Sequence, residues 1–232
     1  MSLFHTIIPA AGFGSRMGVA TPKQYLALAH QTVIEHTLRP FLDSARISFV
    51  HVVLSAGDVF FESLNIAQAS KLSVHYCGGE TRAKTVLNAF QAINCKVLAD
   101  DWVLVHDAAR PCLSAELLDH LLDVLQDDDV GGLLAIPLAE TLKRADAHHR
   151  VLKTEPREHL WLAQTPQMFR YGLLTEALQH FSGVPTDEAQ AVEALGYSPK
   201  LVRGDLRNLK VTYPQDLELA ELILSAHKGH TK

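Results

Sequence analysis

Arg16 and Lys23 flank the far end of a run of small side chains, Ala10, Ala11, Gly12, Gly14, Ser15 and Gly18, that follows the apolar stretch Phe4 to Pro9. Small residues let backbone N–H groups close on an anion without Cβ atoms in the way, and the two cations add fixed positive charge. A loop of this kind after a first strand reads as a polyphosphate cradle. It is not a Walker A loop, because no Gly-Lys-Ser/Thr follows. Nor is it the dinucleotide fingerprint, whose third glycine position holds Met17. Two later loops carry matching chemistry. In Cys77-Gly-Gly-Glu-Thr-Arg82, the glycine pair beside Arg82 lets a flat base lie close to the backbone. In Asp107-Ala-Ala-Arg-Pro111, Asp107 could orient a Mg²⁺-bound polyphosphate or a hydroxyl of a second substrate. Arg110 on the same loop suits bidentate phosphate recognition. Each loop also has a plain reading as a turn or a turn cap, and it is their convergence that points to function.

The elements needed to bring these loops together are legible as an alternation. Apolar strands at Phe4–Pro9, Phe49–Leu54, Leu72–Tyr76, Trp102–His106 and Leu133–Pro137 are separated by helical stretches near Val59–Ala69, Ala83–Ile93 and Leu117–Leu125. Thr32 and Glu35 form a capping box that opens a helix at Val33, and Pro40 is expected to kink or end it within two turns. Such a rhythm predicts right-handed βαβ units around a mostly parallel sheet, with ligands at the carboxyl ends of the strands. The rhythm breaks at Glu140–Arg144 and Val151–Glu155, two half-exposed strands joined by a polar turn. A lone two-stranded ribbon needs a partner surface, so residues 138–157 are expected to form an arm against a second subunit, with a folded-back hairpin as the alternative. Leu160–Phe169 returns to the core. Helices follow at Tyr171–Phe181 and Asp187–Leu195, stopped by Gly196, then a strand at Asn208–Thr212 and a helix opened by Pro214 and running to about Ala226. The expectation is one domain over residues 1–232 with the arm inserted in it.

Composition narrows the class. At 232 residues, with 47% hydrophobic and 20% charged residues, the chain suits a globular α/β domain. A formal charge of −5 disfavours general nucleic-acid binding. Three cysteines without a C-x-x-C predict neither a disulfide framework nor a zinc knuckle, and fit a reducing cytoplasm. No apolar run is long enough for a membrane span. None of the 13 histidines forms a metalloprotease-type pair, so no His metal site is expected.

The phosphate loop, with Pro22-Lys-Gln-Tyr25 after it, resembles that of nucleotidyltransferases that join an NTP to a sugar or polyol phosphate. Together with Val105-His-Asp-Ala-Ala-Arg-Pro111, Gln164-Thr-Pro-Gln167, Thr186-Asp-Glu-Ala189 and Asn208-Leu-Lys-Val-Thr212, it makes nearly the whole chain similar to the 2-C-methyl-D-erythritol 4-phosphate cytidylyltransferase family. The resemblance implies a Rossmann-like α/β fold whose small protruding β-arms interlock in a homodimer. It implies transfer of CMP from CTP to methylerythritol phosphate in the non-mevalonate route to isoprenoids, with Mg²⁺ held mainly by the CTP phosphates and Asp107 as a candidate protein ligand. Residue by residue, it puts Ala10, Ala11, Gly12 and Gly14 around CTP, and Arg16 and Lys23 on its phosphates. Gly79, Arg82 and Thr85 fall in the cytidine segment. Asp107, Arg110, Thr165, Thr186 and Lys210 match positions at the acceptor and the reacting phosphates, and Thr141 and Arg157 would reach a partner subunit's substrate. Arg16, Lys23 and Lys210 are thus the expected catalytic cations. Two departures stand out: Ser15 replaces a second Arg common among relatives, and Gly78-Gly-Glu-Thr-Arg82 replaces a more usual acidic pair. Rival readings are a cytidylyltransferase for ribitol 5-phosphate, a nucleotide sensor without turnover, and a hydride-transferring Rossmann enzyme.

Overall fold

The computed structural model describes residues 2–12 and 21–228. Strand β1 (Phe4–Pro9) is followed by a 3-10 turn at Lys23–Tyr25, the short ladder of β2 (Ala27–Leu28) and β3 (Gln31–Thr32), and helix α1 (Val33–Asp43). Next come β4 (Phe49–Val53), β5 (Leu72–His75), α2 (Arg82–Ile93), β6 (Trp102–Val105), α3 (Ala115–Leu125) and β7 (Gly131–Pro137). Then β8 (Leu142–Ala145) and β9 (Val151–Glu155), which among the described residues pair only with each other, precede β10 (Trp161–Arg170), α4 (Tyr171–His180), α5 (Glu188–Ala194), β11 (Lys200–Arg203) and α6 (Pro214–Lys228). The main sheet has the order β11-β7-β10-β6-β1-β4-β5. Among the described residues β10 alone runs against the rest, antiparallel to both β6 and β7.

Adjacent residues on the central strands face opposite ways, and this divides the core in two. Ile8, Leu104 and Met168 pack with Ile34, Leu38 and Phe41 of α1 and Leu118, Leu121 and Leu122 of α3. Ile7, Val103 and Phe169 pack on the opposite face with Val86 and Phe90 of α2, Leu174 of α4 and Val192 of α5. Both faces of β6 are covered, which is why Trp-Val-Leu-Val is apolar throughout.

Three segments differ from expectation. Helix α1 runs through Pro40 to Asp43, because Leu38 and Phe41, both at 0% exposure, hold the segment on the core. Burying two such side chains, at roughly 2 kcal/mol each, offsets a proline cost of about 3 kcal/mol. The capping box at Thr32 and Glu35 is present in both directions. The 59–69 segment forms two 3-10 turns, Phe61–Ser63 and Asn65–Gln68, instead of a helix. There the Asp58 carboxylate takes the N–H groups of Phe60 and Phe61, a local bond that competes with helix. Asn208–Thr212 is irregular chain, and the edge strand lies earlier, at β11.

One buried feature lies far from the strand ends. His5, His51 and His75 stand side by side on β1, β4 and β5 and touch ring nitrogen to ring nitrogen at 3.3 and 3.1 Å. Asp101 faces His5 at 3.8 Å, and Lys96 lies near the other end. Burial lowers the basicity of all three, taking His51 to about 3, with its two neighbours and Lys96 adding to the effect. The unfolded chain regains ordinary imidazoles near pH 6.5, so it binds protons below that pH that the fold refuses. Stability is therefore full above 6.5 and falls as the pH drops, by up to about 1.4 kcal/mol per pH unit for each excluded proton. Melting curves at pH 7 and pH 5 should show this loss, and His51→Gln should reduce it. An unchanged pH dependence in that variant would remove the cluster from the account.

Candidate active site

The strand order reverses its sense between β1 and β6, and the carboxyl ends of these two strands open into one cleft of about 480 Å³. Ala10, Ala11 and Gly12 line it after β1, and Asp107, Ala108 and Ala109 after β6. Gly79, Arg82 and Thr85, from the start of α2, form a further wall, and Lys23 and Lys210 complete it. This is the crevice where parallel sheets bind ligands. The expected Gly14 and Arg16 lie outside the described residues.

Local bonds explain how the walls keep their shape. Gln24 donates to the Ala10 carbonyl at 2.8 Å, tying the phosphate loop to the Lys23–Tyr25 turn. Gly78 must be glycine, since a Cβ would stand 2.3 Å from the Ala11 Cβ and 2.9 Å from the Leu54 carbonyl oxygen. Thr81 caps α2 by accepting from Lys84 N–H, and Thr85 accepts from Gly79 N–H at 3.0 Å. The irregular 208–211 segment is pinned at both ends. Val211 N–H donates to Ala109 at 2.8 Å, and Asn208 bonds the Thr165 carbonyl through its side chain while accepting from Arg110. Those ties, not a strand ladder, carry Lys210 to the cleft. Lys23 in turn donates to the Val211 carbonyl at 3.1 Å.

Asp107 is the electrostatic centre. One oxygen accepts from Arg82 Nε at 2.8 Å, and the other faces Lys210 Nζ at 2.8 Å and Arg110 Nε at 3.5 Å. Burial alone would raise its carboxyl, but Arg82, Lys210 and Arg110 outweigh it and hold the group well below the usual carboxylate range. Arg82 also binds Glu188, Nη1 to Oε1 at 2.6 Å. Burial opposes the Arg82 charge, yet its two carboxylates overcome this and strengthen it. Glu188 goes the other way, since burial pushes its carboxyl up more than Arg82 draws it down.

The remaining predicted residues fall in other places. Arg110 is buried and directed at Asn208 O and Asp107, beneath the cleft wall. Thr165 sits at a register shift in β10, accepts from Asp107 N–H at 3.1 Å and contacts His106 Nδ1 at 3.0 Å. His106 Nε2 faces the Arg110 carbonyl, which can only accept, so Nδ1 is the acceptor and the Thr165 hydroxyl hydrogen is already committed. Burial pushes His106 down to about 3, so it stays neutral in this role. Thr165 therefore supports the Asp107 loop from below. Thr186 is exposed just before α5, its N–H bonded to Gln190. Thr141 and Arg157 lie together on a separate groove of about 290 Å³ beside the β8–β9 hairpin. Sequence reasoning assigned no role to Glu188 or Gln24. Each sits inside a motif already singled out, but a polar residue in a motif does not announce that it will be buried.

Among the described residues no group of His, Cys, Asp and Glu gathers as a metal site. Asp107 does not suit a divalent cation either, because both its oxygens already face cations.

The model of the IspD family, 2-C-methyl-D-erythritol 4-phosphate cytidylyltransferase, matches residues 4–226. The chain belongs to that family. A relative from Nitrosospira multiformis bearing the same name is 59% identical, with 97% of this chain and 98% of the relative covered. A crystal structure of a 4-diphosphocytidyl-2C-methyl-D-erythritol synthase superposes with a TM-score of 0.87 at 40% identity, covering 97% of this chain and 99% of that one. The family's 2-C-methyl-D-erythritol 4-phosphate cytidylyltransferase from Francisella tularensis superposes at 0.81 with 35% identity, covering 96% and 100%. Family membership accounts for the central sheet and its flanking helices. No helix among the described residues is long and apolar enough to cross a membrane.

Proposed function

We propose that this chain transfers the cytidylyl group of CTP to 2-C-methyl-D-erythritol 4-phosphate, giving 4-diphosphocytidyl-2-C-methyl-D-erythritol and pyrophosphate for isoprenoid synthesis. The observation that carries the reading is the convergence of Gly12, Lys23, Arg82, Asp107 and Lys210 on one cleft at the strand ends, in a chain that belongs to the family throughout its length.

The two substrates together bring about six negative charges at neutral pH, and their mutual repulsion is the main barrier to encounter. An acceptor phosphate oxygen attacks the α-phosphorus of CTP, the new P–O bond forms, and the bond to pyrophosphate breaks. The nucleophile is already ionised, so no general base is required. Catalysis consists of in-line positioning and stabilisation of charge at the α-phosphate and the leaving group. Lys23 and Lys210 reach the cleft as cations for that purpose, and Arg16 is assigned the same task. Ala10, Ala11, Gly12, Gly14, Gly79 and Thr85 frame the nucleotide. The Mg²⁺ requirement belongs to the triphosphate, which brings the ion as part of the nucleotide.

The acceptor phosphate is assigned to Thr141 and Arg157 of a second copy in a homodimer. Two features support this. Leu142, Val151, Leu152 and Trp161 expose apolar side chains on and beside the hairpin, a patch suited to a partner surface. The groove holding Thr141 and Arg157 is separate from the nucleotide cleft of its own chain. Three free thiols support a reducing, cytoplasmic setting.

The test is pyrophosphate release from CTP and Mg²⁺ with methylerythritol phosphate and ribitol 5-phosphate supplied separately. Turnover is expected with the first alone. Turnover with ribitol 5-phosphate alone would discard the acceptor assignment, and silence with both, in folded protein that still binds CTP, would make it a sensor.

A further inference from the structure

Glu188 opens α5 and would ordinarily sit in solvent at a helix start. Here it is sunk to 1% exposure with its carboxylate on Arg82 Nη1 at 2.6 Å. A buried carboxylate is costly unless it is paired and hydrogen-bonded, and the other nitrogens of Arg82 show what this pairing does to the cleft. Its Nε takes one oxygen of Asp107 at 2.8 Å, while its Nη2 is buried without a partner. A guanidinium beside a carboxylate prefers a two-pronged pairing with both oxygens. Arg82 does not make one with Asp107, whose second oxygen belongs to Lys210 at 2.8 Å.

We propose that Glu188 is a positioning residue for the reaction: by gripping Arg82 Nη1 it stops the guanidinium from turning about Nε to seize Asp107 with Nη2 as well, and so leaves Asp107 Oδ2 to anchor Lys210 in the cleft. The inference rests on the cytidylyltransferase reading above. Its logic is a competition between two cations for one oxygen. Arg82 offers a fork and Lys210 a single ammonium, so without a second anion the fork wins and Lys210 loses its anchor. Two carboxylates shared among Arg82, Arg110 and Lys210 keep each cation in its own place. Glu188 lies outside the residues that line the cleft and acts through Arg82 and Asp107.

The experiment compares Glu188→Gln, of the same shape without the charge, in the wild-type protein and in a Lys210→Ala background. In the wild type the substitution should lower kcat about tenfold while the KM for CTP stays within about threefold. In the Lys210→Ala background it should cost less than about twofold more, because the group through which it acts is gone. Val192→Ala, which loosens the packing of the same helix without touching Arg82, should lower the melting temperature and leave kcat in place. Should Glu188→Gln fail to fold, Glu188→Asp, too short to reach Nη1, takes its place in both backgrounds. Equal losses in the two backgrounds, or no loss in the wild type, would overturn the inference. A wild-type protein that releases no pyrophosphate would overturn the enzymatic reading itself, and the two failures are told apart by that control.

Discussion

A Lys23→Ala protein is expected to fold normally and to turn over about 10²–10³-fold more slowly, the usual cost of removing one preorganised charge from a transition state. The structural loss is small. Lys23 is half-buried, and its bond to the Val211 carbonyl is worth about 1 kcal/mol. Lys23 lines the cleft together with Ala10, Gly12 and Lys210, where its charge would offset that of a bound phosphate. Normal turnover in the variant would overturn its assignment. The same protein also tests the arm. Mixed under subunit exchange with an Arg157→Ala protein, it should recover about a quarter of wild-type activity, since half the dimers are mixed and each mixed dimer has one intact site. No recovery would overturn the assignment of Arg157 to a partner subunit's site.

The second large effect is expected at Asp107. Asp107→Asn removes the anion shared by Arg82, Arg110 and Lys210, and Arg110, itself 8% exposed, is left with a carbonyl for company. Breaking a buried pair from one side costs about 3–5 kcal/mol. The lower end applies here, because Arg82 and Lys210 reach solvent and are screened. In a chain of this size about 3 kcal/mol lowers the melting temperature by about 6–12 °C. The sign with pH follows from linkage. The folded carboxyl lies below its ordinary value, so its contribution is complete above about pH 4 and is lost as the pH falls further. Wild type and variant should therefore converge in acid. The freed cations should also seek another anion, so CTP should raise the melting temperature of the variant more than that of the wild type. A variant as stable as its parent, with normal turnover, would strip Asp107 of this role.

How much of this was legible beforehand depends on whether a residue acts through its neighbours in the chain or through distant ones. The first strand, the Thr32–Glu35 box, the Pro214 start and the β8–β9 hairpin are local matters of periodicity and capping, and the structure has them where the pattern put them. Gly12, Gly79, Arg82 and Asp107 were legible because their loops follow strands whose ends must meet, and Lys23 because it follows the first loop, whereas Thr85 and Lys210 came from the family resemblance alone. Pro40 does not end the helix, because the proline rule is local and Phe41 overrides it from the core. The 208–212 segment was misread for the same reason: Leu-Lys-Val-Thr has strand composition, but its hydrogen bonds go to Ala109 and Thr165 instead of a neighbouring strand. Thr165 was named from the resemblance as an acceptor-site residue, and its contacts with His106 and the Asp107 backbone could not be read from the chain. Nothing along the chain reports which hydrogen bonds a side chain has already made.

The tie from Lys23 to Val211 joins positions 188 residues apart. A chain that stops short of Asn208 can therefore carry the phosphate loop, Arg82 and Asp107 and still have neither Lys210 nor the carbonyl that steadies Lys23. The cleft is thus closed by the last stretch of the sequence meeting the first, so both ends of the chain must be in place before its two lysines stand together.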